Sequence, residues 1–273
     1  MHNFSVLLSV YHKETPIFLT HALHSIWDNQ TLKPSEIVIV KDGLLTKELD
    51  AEIEQFSQKA PVKVISLKHN VGLGPALAAG LLECSNELVA RMDSDDVSYP
   101  NRFEKQIPLM EKGYDVVSSW SIFFENTLAN IIATKKRPER HEKIMKLAKK
   151  RSPVCHASCI LRKSKVLEAG NYRNYPYYED YDLWVRMLLN GSKFYNLQDY
   201  VYYVRGSLSQ FGRRGGLSYL KTEIKVHRNF RKVGFLTRFE LMRNVMIRIV
   251  IRVLPVSLRK NVYMLIWKKS KIQ

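Results

Sequence analysis

Four segments in the first half of the chain repeat one order, an apolar, β-prone run followed by an amphipathic stretch with helical spacing. The apolar runs cover residues 4–11, 36–40, 62–67 and 88–92. This alternation and its spacing are typical of parallel β-α-β units. The sequence therefore predicts an α/β fold built on a central, mostly parallel sheet.

Polar residues follow each predicted strand at its carboxyl end. In sheets of this kind ligands bind beyond the carboxyl ends of the strands, so these residues are expected to gather along one edge. They are Tyr11-His12, Asp42-Gly43, Asn70 and Asp93-Ser94-Asp95-Asp96. We expect the binding site at that edge.

The densest of these segments is Arg91-Met92-Asp93-Ser94-Asp95-Asp96, where three carboxylates fall within four residues. Crowded carboxylates raise one another's pKa unless a cation lies among them. Mg²⁺ and Mn²⁺ prefer oxygen ligands and often share them with substrate phosphates. The segment indicates a metal–diphosphate site, although Asp-Ser-Asp also occurs in ordinary turns and helix caps.

The composition is that of a globular protein with an uneven charge distribution. The 273 residues are 45% hydrophobic, enough for one large domain or two small ones, and the formal net charge is +17. Residues 1–130 carry 11 Lys/Arg and 17 Asp/Glu, a net of −6, whereas residues 131–273 carry 32 and 9, a net of +23. The basic second half indicates an anionic partner, either membrane lipid or nucleic acid.

The three cysteines, Cys84, Cys155 and Cys159, argue against a disulfide scaffold. Cys155, His156 and Cys159 could supply three zinc ligands, but no second Cys/His cluster completes a tetrahedral set. The sequence shows neither a signal peptide nor an uninterrupted apolar run of about 18 residues. We expect a cytosolic chain that can still contact a membrane.

Five motifs occur in an order and spacing that resemble the family-2 glycosyltransferases with the GT-A fold, a Rossmann-like nucleotide-sugar fold. They are Ser9-Val10-Tyr11, the segment 36–43, the segment 70–74, the Asp-x-Asp element Asp93-Ser94-Asp95 and the late acidic motif 178–184. The resemblance implies a catalytic domain over residues 1–210. Its nucleotide-sugar half would be 1–125 and its acceptor half 126–210, with a basic amphipathic helical tail at 211–273.

The resemblance assigns the donor-binding roles to the strand-end residues. Asp95 is expected to be the main metal ligand and Asp93 to reach the ribose or the metal, while Asp96 supports them or caps a helix. Asp42 is expected to contact uracil without help, because Lys41 stands where the family usually has a second acid. The other expected nucleotide-sugar contacts are Ser9, Tyr11, Arg91, Ser94, Asn70 and Gly72, the last two of which also fit a simple turn before a helix.

Glu179 and Asp180 follow a cluster of tyrosines, and aromatic faces suit the apolar C–H faces of sugar rings. By resemblance, Asp180 is the catalytic base and Glu179 helps to bind hydroxyl groups. Acids at the start of a helix are also favoured by its dipole, and both interpretations can hold together. With one base and no enzyme nucleophile, the displacement is expected to be direct and inverting.

The remaining predicted contacts are with the acceptor. His156 could bind the acceptor or its diphosphate, or could be a structural histidine. Arg205 stands near the position where family members commonly have a metal-binding histidine, and with Arg213 and Arg214 it is expected either to hold phosphates or to be solvated charge. The acceptor set is His156, Tyr178, Asp182, Trp184, Arg213 and Arg214.

The tail has the composition of a basic interfacial helix. Residues 238–271 carry nine Lys/Arg and one acid among many apolar residues, and Trp267 is expected at headgroup depth. The alternative is a helix packed on the catalytic domain with a solvated basic face. A lipid-linked acceptor would favour contact with anionic lipid of the inner membrane.

The predicted function is therefore an inverting, Mn²⁺- or Mg²⁺-dependent glycosyltransferase. It would move a hexose (glucose, galactose or an N-acetyl form) from a UDP-sugar to a polyprenyl diphosphate-linked saccharide, on the cytoplasmic face of the inner membrane, in bacterial surface polysaccharide synthesis. The alternatives are a nucleotidyltransferase, which would need a Gly-rich first loop, and a nucleic-acid binder, which would need a recognition motif. Neither feature is present, so no nucleic-acid partner is expected.

Overall fold

The computed structural model describes residues 3–206 and 217–253, which form strands and helices in the predicted alternating order. The strands are β1 (Phe4–Val10), β2 (Glu36–Lys41), β3 (Val62–Ser66), β4 (Leu88–Asp93), β5 (Val97–Ser98), β6 (Val116–Phe124), β7 (Ile131–Lys135), β8 (Ile160–Arg162) and β9 (Phe194–Arg205). The helices are α1 (Pro16–Ile26), α2 (Lys47–Ser57), α3 (Leu73–Glu83), α4 (Arg102–Glu111), α5 (His141–Ala148), α6 (Lys163–Glu168), α7 (Glu179–Leu189), α8 (Leu217–Lys232) and α9 (Arg238–Val253).

The strands of the described residues join in one sheet of order β3-β2-β1-β4-β8-β6-β9-β5, with β7 paired to β6. β1 to β4 pair in parallel, as predicted, and β6 pairs in parallel with β9. β8 is antiparallel to both β4 and β6, which joins the parallel first half to the second half. Ser9 of β1 lies opposite Val40 on one side and Asp93 on the other, so these strands end at one edge.

Alternate side chains of β1 enter two apolar layers on opposite faces of the sheet, as strand geometry requires. Leu7 packs with residues of α3 and α7 in one layer. Val6 and Leu8 pack with residues of α1 and α4 in the other. Burial on both faces holds β1 firmly at the centre of the sheet, and this fixes the strand ends that carry the polar residues.

Local signals explain where several elements begin. Pro16 occupies the first turn of α1, because its fixed backbone angle suits that position. Thr46 caps α2 by accepting a hydrogen bond from the Leu49 N–H at 3.4 Å. β8 has only three residues, because His156–Ser158 forms a 3₁₀ turn just before it.

α8 and α9 lie against the rest of the molecule. Val226 and Phe230 of α8 are buried in the same apolar layer as Trp184 of α7, and α9 is joined to α8 by the Arg248–Glu223 ion pair at 2.7 Å. Some predictions fall on parts of the chain outside the described residues. They are the domain boundary at residue 210, the roles of Arg213 and Arg214, and the placement of Trp267. None of the described helices has the length and apolar content needed to span a bilayer.

Candidate active site

A cleft of about 930 Å³ opens at the carboxyl ends of β1, β2 and β4. Such a volume is at the upper end of those of small-molecule sites. The predicted site residues that line it are Ser9, Tyr11, Asp42, Asn70, Gly72, Asp93, Ser94, Asp95 and Glu179. The structure thus brings together the strand-end residues with one member of the late acidic motif, which is more than 80 residues further along the chain.

The Asp cluster forms one wall of this cleft. Ligand oxygens of Asp93, Asp95 and Asp96 all lie within 4.8 Å of one another. Burial, Asp93 and Glu14 raise the pKa of Asp95 to about 7. Burial and the neighbouring Asp95 and Asp93 raise the pKa of Asp96, whose buried Oδ2 has no hydrogen-bond partner among the described residues. Clustered oxygens and repelling carboxylates are features that a hard divalent cation satisfies, so these residues fit such an ion.

Two arginines hold this wall in place. Arg91 is buried beneath the cleft and forms an ion pair with Asp93. Arg205, at the end of β9, donates its backbone N–H to Asp96 Oδ1 at 2.7 Å and its Nε–H to the Asp95 carbonyl oxygen at 2.7 Å. Its guanidinium group lies 3.9 Å from the Phe18 ring centroid. Arg205 therefore contacts both the Asp96 carboxylate and the Asp95 backbone, and its predicted phosphate contact stays a prediction.

Asp42 is buried and organises the loop that begins α3. Its two carboxylate oxygens accept the backbone N–H groups of Val71 and Gly72 at 2.7 and 3.1 Å. Gly43 makes this close approach feasible, since it has a φ of +86° and an added Cβ would lie 2.7 Å from the Asn70 nitrogen. Asp42 thus joins two strand ends at the cleft, a role that the sequence did not reveal. Its contact with uracil stays a prediction.

Glu179 and Asp180 begin α7 on the opposite side of the cleft. Glu179 lines the cleft, and burial together with Asp180 raises the pKa of Glu179 to about 7. Asp180 accepts a hydrogen bond from Ser152 Oγ at 3.0 Å, and burial raises the pKa of its carboxyl group. Gly74 allows α3 to approach this motif, because a Cβ there would lie 3.0 Å from Glu179 Cβ. Glu179 thus lines the cleft itself, whereas Asp180 lies next to it in the chain and is held by Ser152.

The other predicted acceptor contacts that the structure describes lie behind the motif. Trp184 is fully buried, with its ring 5.7 Å from that of His156. Asp182 is 1% exposed and pairs with Arg186 at 2.8 Å. Tyr178 is buried, and its ring contacts that of Tyr219 in α8. In this arrangement these side chains support α7, and their contact with an acceptor stays a prediction.

His156 is held by protein contacts. Its Nε2 lies 3.0 Å from Tyr172 Oη, and burial lowers its pKa well below the ordinary value, so the ring is neutral. Cys159 Sγ donates to the Cys155 carbonyl oxygen at 3.1 Å. Both cysteines are buried free thiols. The three side chains considered as zinc ligands are thus engaged in packing and hydrogen bonds.

One residue of the cleft was missed in the sequence, and the tyrosine segment before the late acidic motif was identified only by its aromatic character. Glu14, in the loop after β1, accepts a hydrogen bond from the Ser94 hydroxyl and helps to raise the pKa of Asp95. The segment around Tyr175 supplies part of the wall beside Glu179. The rule that polar residues gather at strand ends could have identified Glu14, since it lies four residues after β1. No local signal indicates that residues 174–177 fold back to the same edge.

Comparisons with known proteins show the family to which the chain belongs. The sequence model described as glycosyl transferase family 2 matches residues 5–170. A UDP-Gal:alpha-D-GlcNAc-diphosphoundecaprenol beta-1,3-galactosyltransferase from Escherichia coli is 38% identical over 262 residues, 95% of this chain and 94% of the relative. The amylovoran biosynthesis glycosyltransferase AmsE from Erwinia amylovora is 37% identical over 265 residues, 95% of this chain and 97% of the relative.

Solved structures share the fold at low identity. S. aureus TarS 1–349 in complex with UDP-GlcNAc has a TM-score of 0.63 at 19% identity, over 82% of this chain and 65% of that chain. The mannosyltransferase PcManGT from Pyrobaculum calidifontis, in complex with GDP-Man and Mn²⁺, has a TM-score of 0.61 at 13% identity, over 89% and 68%. This chain spans about two thirds of the length of these two structures.

The predicted α/β fold and the predicted enzyme class are both confirmed by these findings. The family match covers more than half of the chain, and the two relatives cover nearly all of it. The chain belongs to glycosyl transferase family 2 and is a glycosyltransferase with the GT-A fold.

Proposed function

We propose that the protein transfers a hexose from a UDP-sugar to a saccharide carried on a polyprenyl diphosphate, with inversion of the anomeric carbon. The observation that carries this proposal is the placement of two acidic groups across one cleft. The Asp cluster lies on one wall and Glu179 on the other, with Asp180 beside it. A donor diphosphate fits the first group, and a nucleophilic hydroxyl fits the second.

The donor would lie along the strand ends. Asp93, Asp95 and Asp96 would hold Mn²⁺ or Mg²⁺, which supplies charge neutralisation to a leaving diphosphate. Ser9, Tyr11 and Asp42 line the part of the cleft where we place the nucleotide, and Arg91 fixes Asp93 through their ion pair. Galactose is the first donor sugar to test, because the name of the Escherichia coli relative specifies UDP-Gal.

The acceptor hydroxyl would be activated at the start of α7. In the proposed step Asp180 takes the hydroxyl proton, the oxygen forms a bond to the anomeric carbon, and the bond from that carbon to the diphosphate oxygen breaks. The raised pKa of Asp180 suits a base, because it increases the affinity of the carboxylate for a proton. Glu179, which lines the cleft, would bind sugar hydroxyls.

The names of two relatives support the proposed acceptor class. The Escherichia coli relative is named for a GlcNAc-diphosphoundecaprenol acceptor and the Erwinia amylovora relative for amylovoran biosynthesis. We infer a lipid-linked acceptor in surface polysaccharide synthesis for this chain as well. The protein would then act at the cytoplasmic face of the inner membrane, where it would contact anionic lipid.

The test is a panel of UDP-sugars with a lipid-diphosphate-GlcNAc acceptor, with and without Mn²⁺. Asp95→Ala should abolish metal-dependent transfer, and Asp180→Asn should lower kcat by about 10²–10⁴-fold. Asp199→Asn is the matched control, because Asp199 pairs with Lys105 away from the cleft. If Asp180→Asn keeps wild-type kcat with every donor that is turned over, Asp180 is not the base. If no donor is turned over and UDP does not bind, the donor assignment is wrong.

A further inference from the structure

α8 and α9 form a helical hairpin that carries two different outward surfaces. The first, which we call the cation stripe, consists of Lys221, Lys225, Arg228 and Lys232 of α8, all of them exposed. Their spacing of four, three and four residues places them within about 60° of arc on one side of the helix. The opposite side of α8 packs on the catalytic domain through Val226 and Phe230, which are buried.

The second surface lies on α9 and is apolar. This apolar stripe consists of Phe239, Met242, Met246 and Val250, which are 75, 62, 60 and 62% exposed. Their spacing places them on one side of α9, within about 80° of arc. Four large apolar side chains in a continuous exposed row are unusual on a soluble surface, and such rows mark interaction sites.

Two polar residues of α9 are directed toward the protein instead. Arg248 pairs with Glu223 at 2.7 Å and donates to the Lys150 carbonyl oxygen at 2.6 Å. Asn244, which is buried, donates to the Lys149 carbonyl oxygen at 2.8 Å. Two polar side chains of α9 are therefore used to fasten the hairpin to the end of α5. The sequence predicted an interfacial helix over residues 238–271 from the cations and apolar residues of that segment, whereas the cation stripe lies on the preceding helix, α8.

The hairpin is connected to the cleft at its first turns. Tyr219 stacks on Tyr177, with ring centroids 5.0 Å apart, and Tyr177 lines the cleft. Lys225 lies 5.8 Å from the ring centroid of Tyr175, which also lines the cleft. The cation stripe thus begins at the rim of the active site and continues away from it along α8.

We propose that the α8–α9 hairpin is a docking surface for an anionic lipid bilayer. The apolar stripe enters the boundary between headgroups and acyl chains, and the cation stripe lies over the lipid phosphates. This inference rests on the proposed lipid-linked acceptor, whose diphosphate would be presented at membrane level beside the rim formed by Tyr177 and Lys225. Docking would confine enzyme and acceptor to one surface and so raise their encounter rate.

Charge selects lipid over two other occupants of this surface. A second copy of the chain packed hairpin to hairpin would bring the two cation stripes together, and like charges in a contact are unfavourable. Residues 254–273 carry five Lys/Arg and no acid, so that segment offers no carboxylate to the cation stripe. Anionic headgroups complement the cations, and acyl chains complement the apolar stripe.

The experiment is flotation of the full-length protein with vesicles of phosphatidylcholine alone or with about 30% phosphatidylglycerol. One variant combines Lys221→Gln, Arg228→Gln and Lys232→Gln, leaving Lys225 beside the cleft intact. A second combines Met242→Gln, Met246→Gln and Val250→Gln, since glutamine keeps helix propensity. The matched control, Lys33→Gln with Lys47→Gln and Lys112→Gln, removes the same charge from exposed positions of the first half.

Wild type and control should float with the phosphatidylglycerol vesicles. Each hairpin variant should bind these vesicles at least about tenfold more weakly than the wild type. Both hairpin variants should keep the melting temperature and the transfer rate to a water-soluble, short-chain GlcNAc-diphosphate, but lose transfer to a long-chain acceptor embedded in vesicles. These activity readouts separate loss of docking from loss of folding or chemistry.

Docking is overturned if wild type does not float, or if both hairpin variants float as wild type does. It is also overturned if the apolar variant only dissociates a dimer while flotation is unchanged, which would assign the apolar stripe to a second copy. A failure of the proposed function gives a different pattern. In that case the hairpin variants lose flotation, yet no UDP-sugar is turned over by the wild type with either acceptor.

Discussion

At the scale of single residues, the acids of the cleft are destabilised by their surroundings in the absence of a ligand. Burial and neighbouring carboxylates raise the pKa of Asp95 and of Glu179 to about 7. A carboxyl group with a raised pKa resists ionisation, so at neutral pH its ionised form lowers the stability of the folded protein. Functional sites commonly show such shifts, because the same surroundings that disfavour the free carboxylate favour its complex with a cation or proton.

Glu179 gives a prediction about stability and pH. Its pKa in the folded protein, about 7, is raised above the ordinary 4.5. The stabilising contribution of the protonated group is fully present below about pH 4.5 and is lost as the pH rises through about 7. When the pH is raised from about 5 to about 8, the unfolding free energy of the wild type should therefore fall by about 1–3 kcal/mol more than that of Glu179→Gln. Urea denaturation at both pH values measures this.

The control for that measurement is Glu54→Gln, an exposed glutamate of α2. It should retain the wild-type dependence on pH. Equal losses in wild type and Glu179→Gln would contradict the burial of this carboxyl group. Activity is a separate readout, since Glu179 also lines the cleft.

The residues that the sequence identified are those whose role follows from position along one strand. Asp93 and Asp95 were found because they lie two positions apart at and just after the end of one strand. Arg205 was noted but its contact was not, since it reaches the Asp95 carbonyl oxygen across 110 positions of sequence. A hydrogen bond of that kind depends on how β9 is placed beside β6, which no local pattern encodes.

At the scale of elements, the site depends on how loops are fastened to the strand ends. Asp42 follows β2, and its two oxygens hold the N–H groups of Val71 and Gly72 at the start of α3. Hydrogen bonds to a charged acceptor contribute more than neutral ones, about 1.5–3 kcal/mol each. The loop that borders the donor side of the cleft is therefore held by one buried carboxylate.

This contact predicts the effect of Asp42→Asn. The amide keeps one acceptor oxygen but places an NH₂ donor against a backbone N–H, so one of the two hydrogen bonds is lost. We expect a loss of about 1–3 kcal/mol of unfolding free energy and about a tenfold rise in KM for the UDP-sugar, with a smaller change in kcat. Denaturant unfolding and steady-state kinetics measure the two effects.

Asp28→Asn provides the comparison, because Asp28 pairs with Lys59 on the surface. Asp28→Asn should change the unfolding free energy by no more than about 0.5 kcal/mol and KM for the UDP-sugar by no more than about twofold. A normal KM in Asp42→Asn would mean that the loop 71–72 does not shape the donor site. A raised KM without any loss of stability would favour direct contact between Asp42 and the base.

Elements were predictable to different degrees. The parallel strands β1 to β4 were predicted because two signals agree in each segment. An apolar run alternates with a stretch of helical spacing, and polar residues follow the end of each apolar run. The antiparallel insertion of β8 between β4 and β6 was not, because a strand of three residues carries too little pattern to fix its partners. The hairpin was predicted as helical and basic, but not the separation of its surfaces, which depends on Arg248 turning inward to Glu223.

At the scale of the whole molecule, the cleft joins segments distant in the chain. Its walls come from strand ends before residue 96 and from the segment 174–179. A ligand that contacts both walls binds the folded state and not the unfolded chain. It should therefore stabilise the fold by RT ln(1 + [L]/Kd), about 2.7 kcal/mol at a ligand concentration of 100 Kd.

Thermal unfolding with UDP tests this link between the site and the fold. For a chain of this size, UDP with Mn²⁺ at such a concentration should raise the melting temperature by about 5 °C. UDP with a chelator should give a much smaller rise, because the diphosphate would then meet the carboxylates of Asp93 and Asp95 without a divalent cation between them. Asp95→Ala should lose the Mn²⁺-dependent part, whereas Asp199→Asn should keep it. An equal rise with and without the metal would show that UDP binds here independently of the Asp cluster, and the cluster would then need another role than holding a cation for the diphosphate.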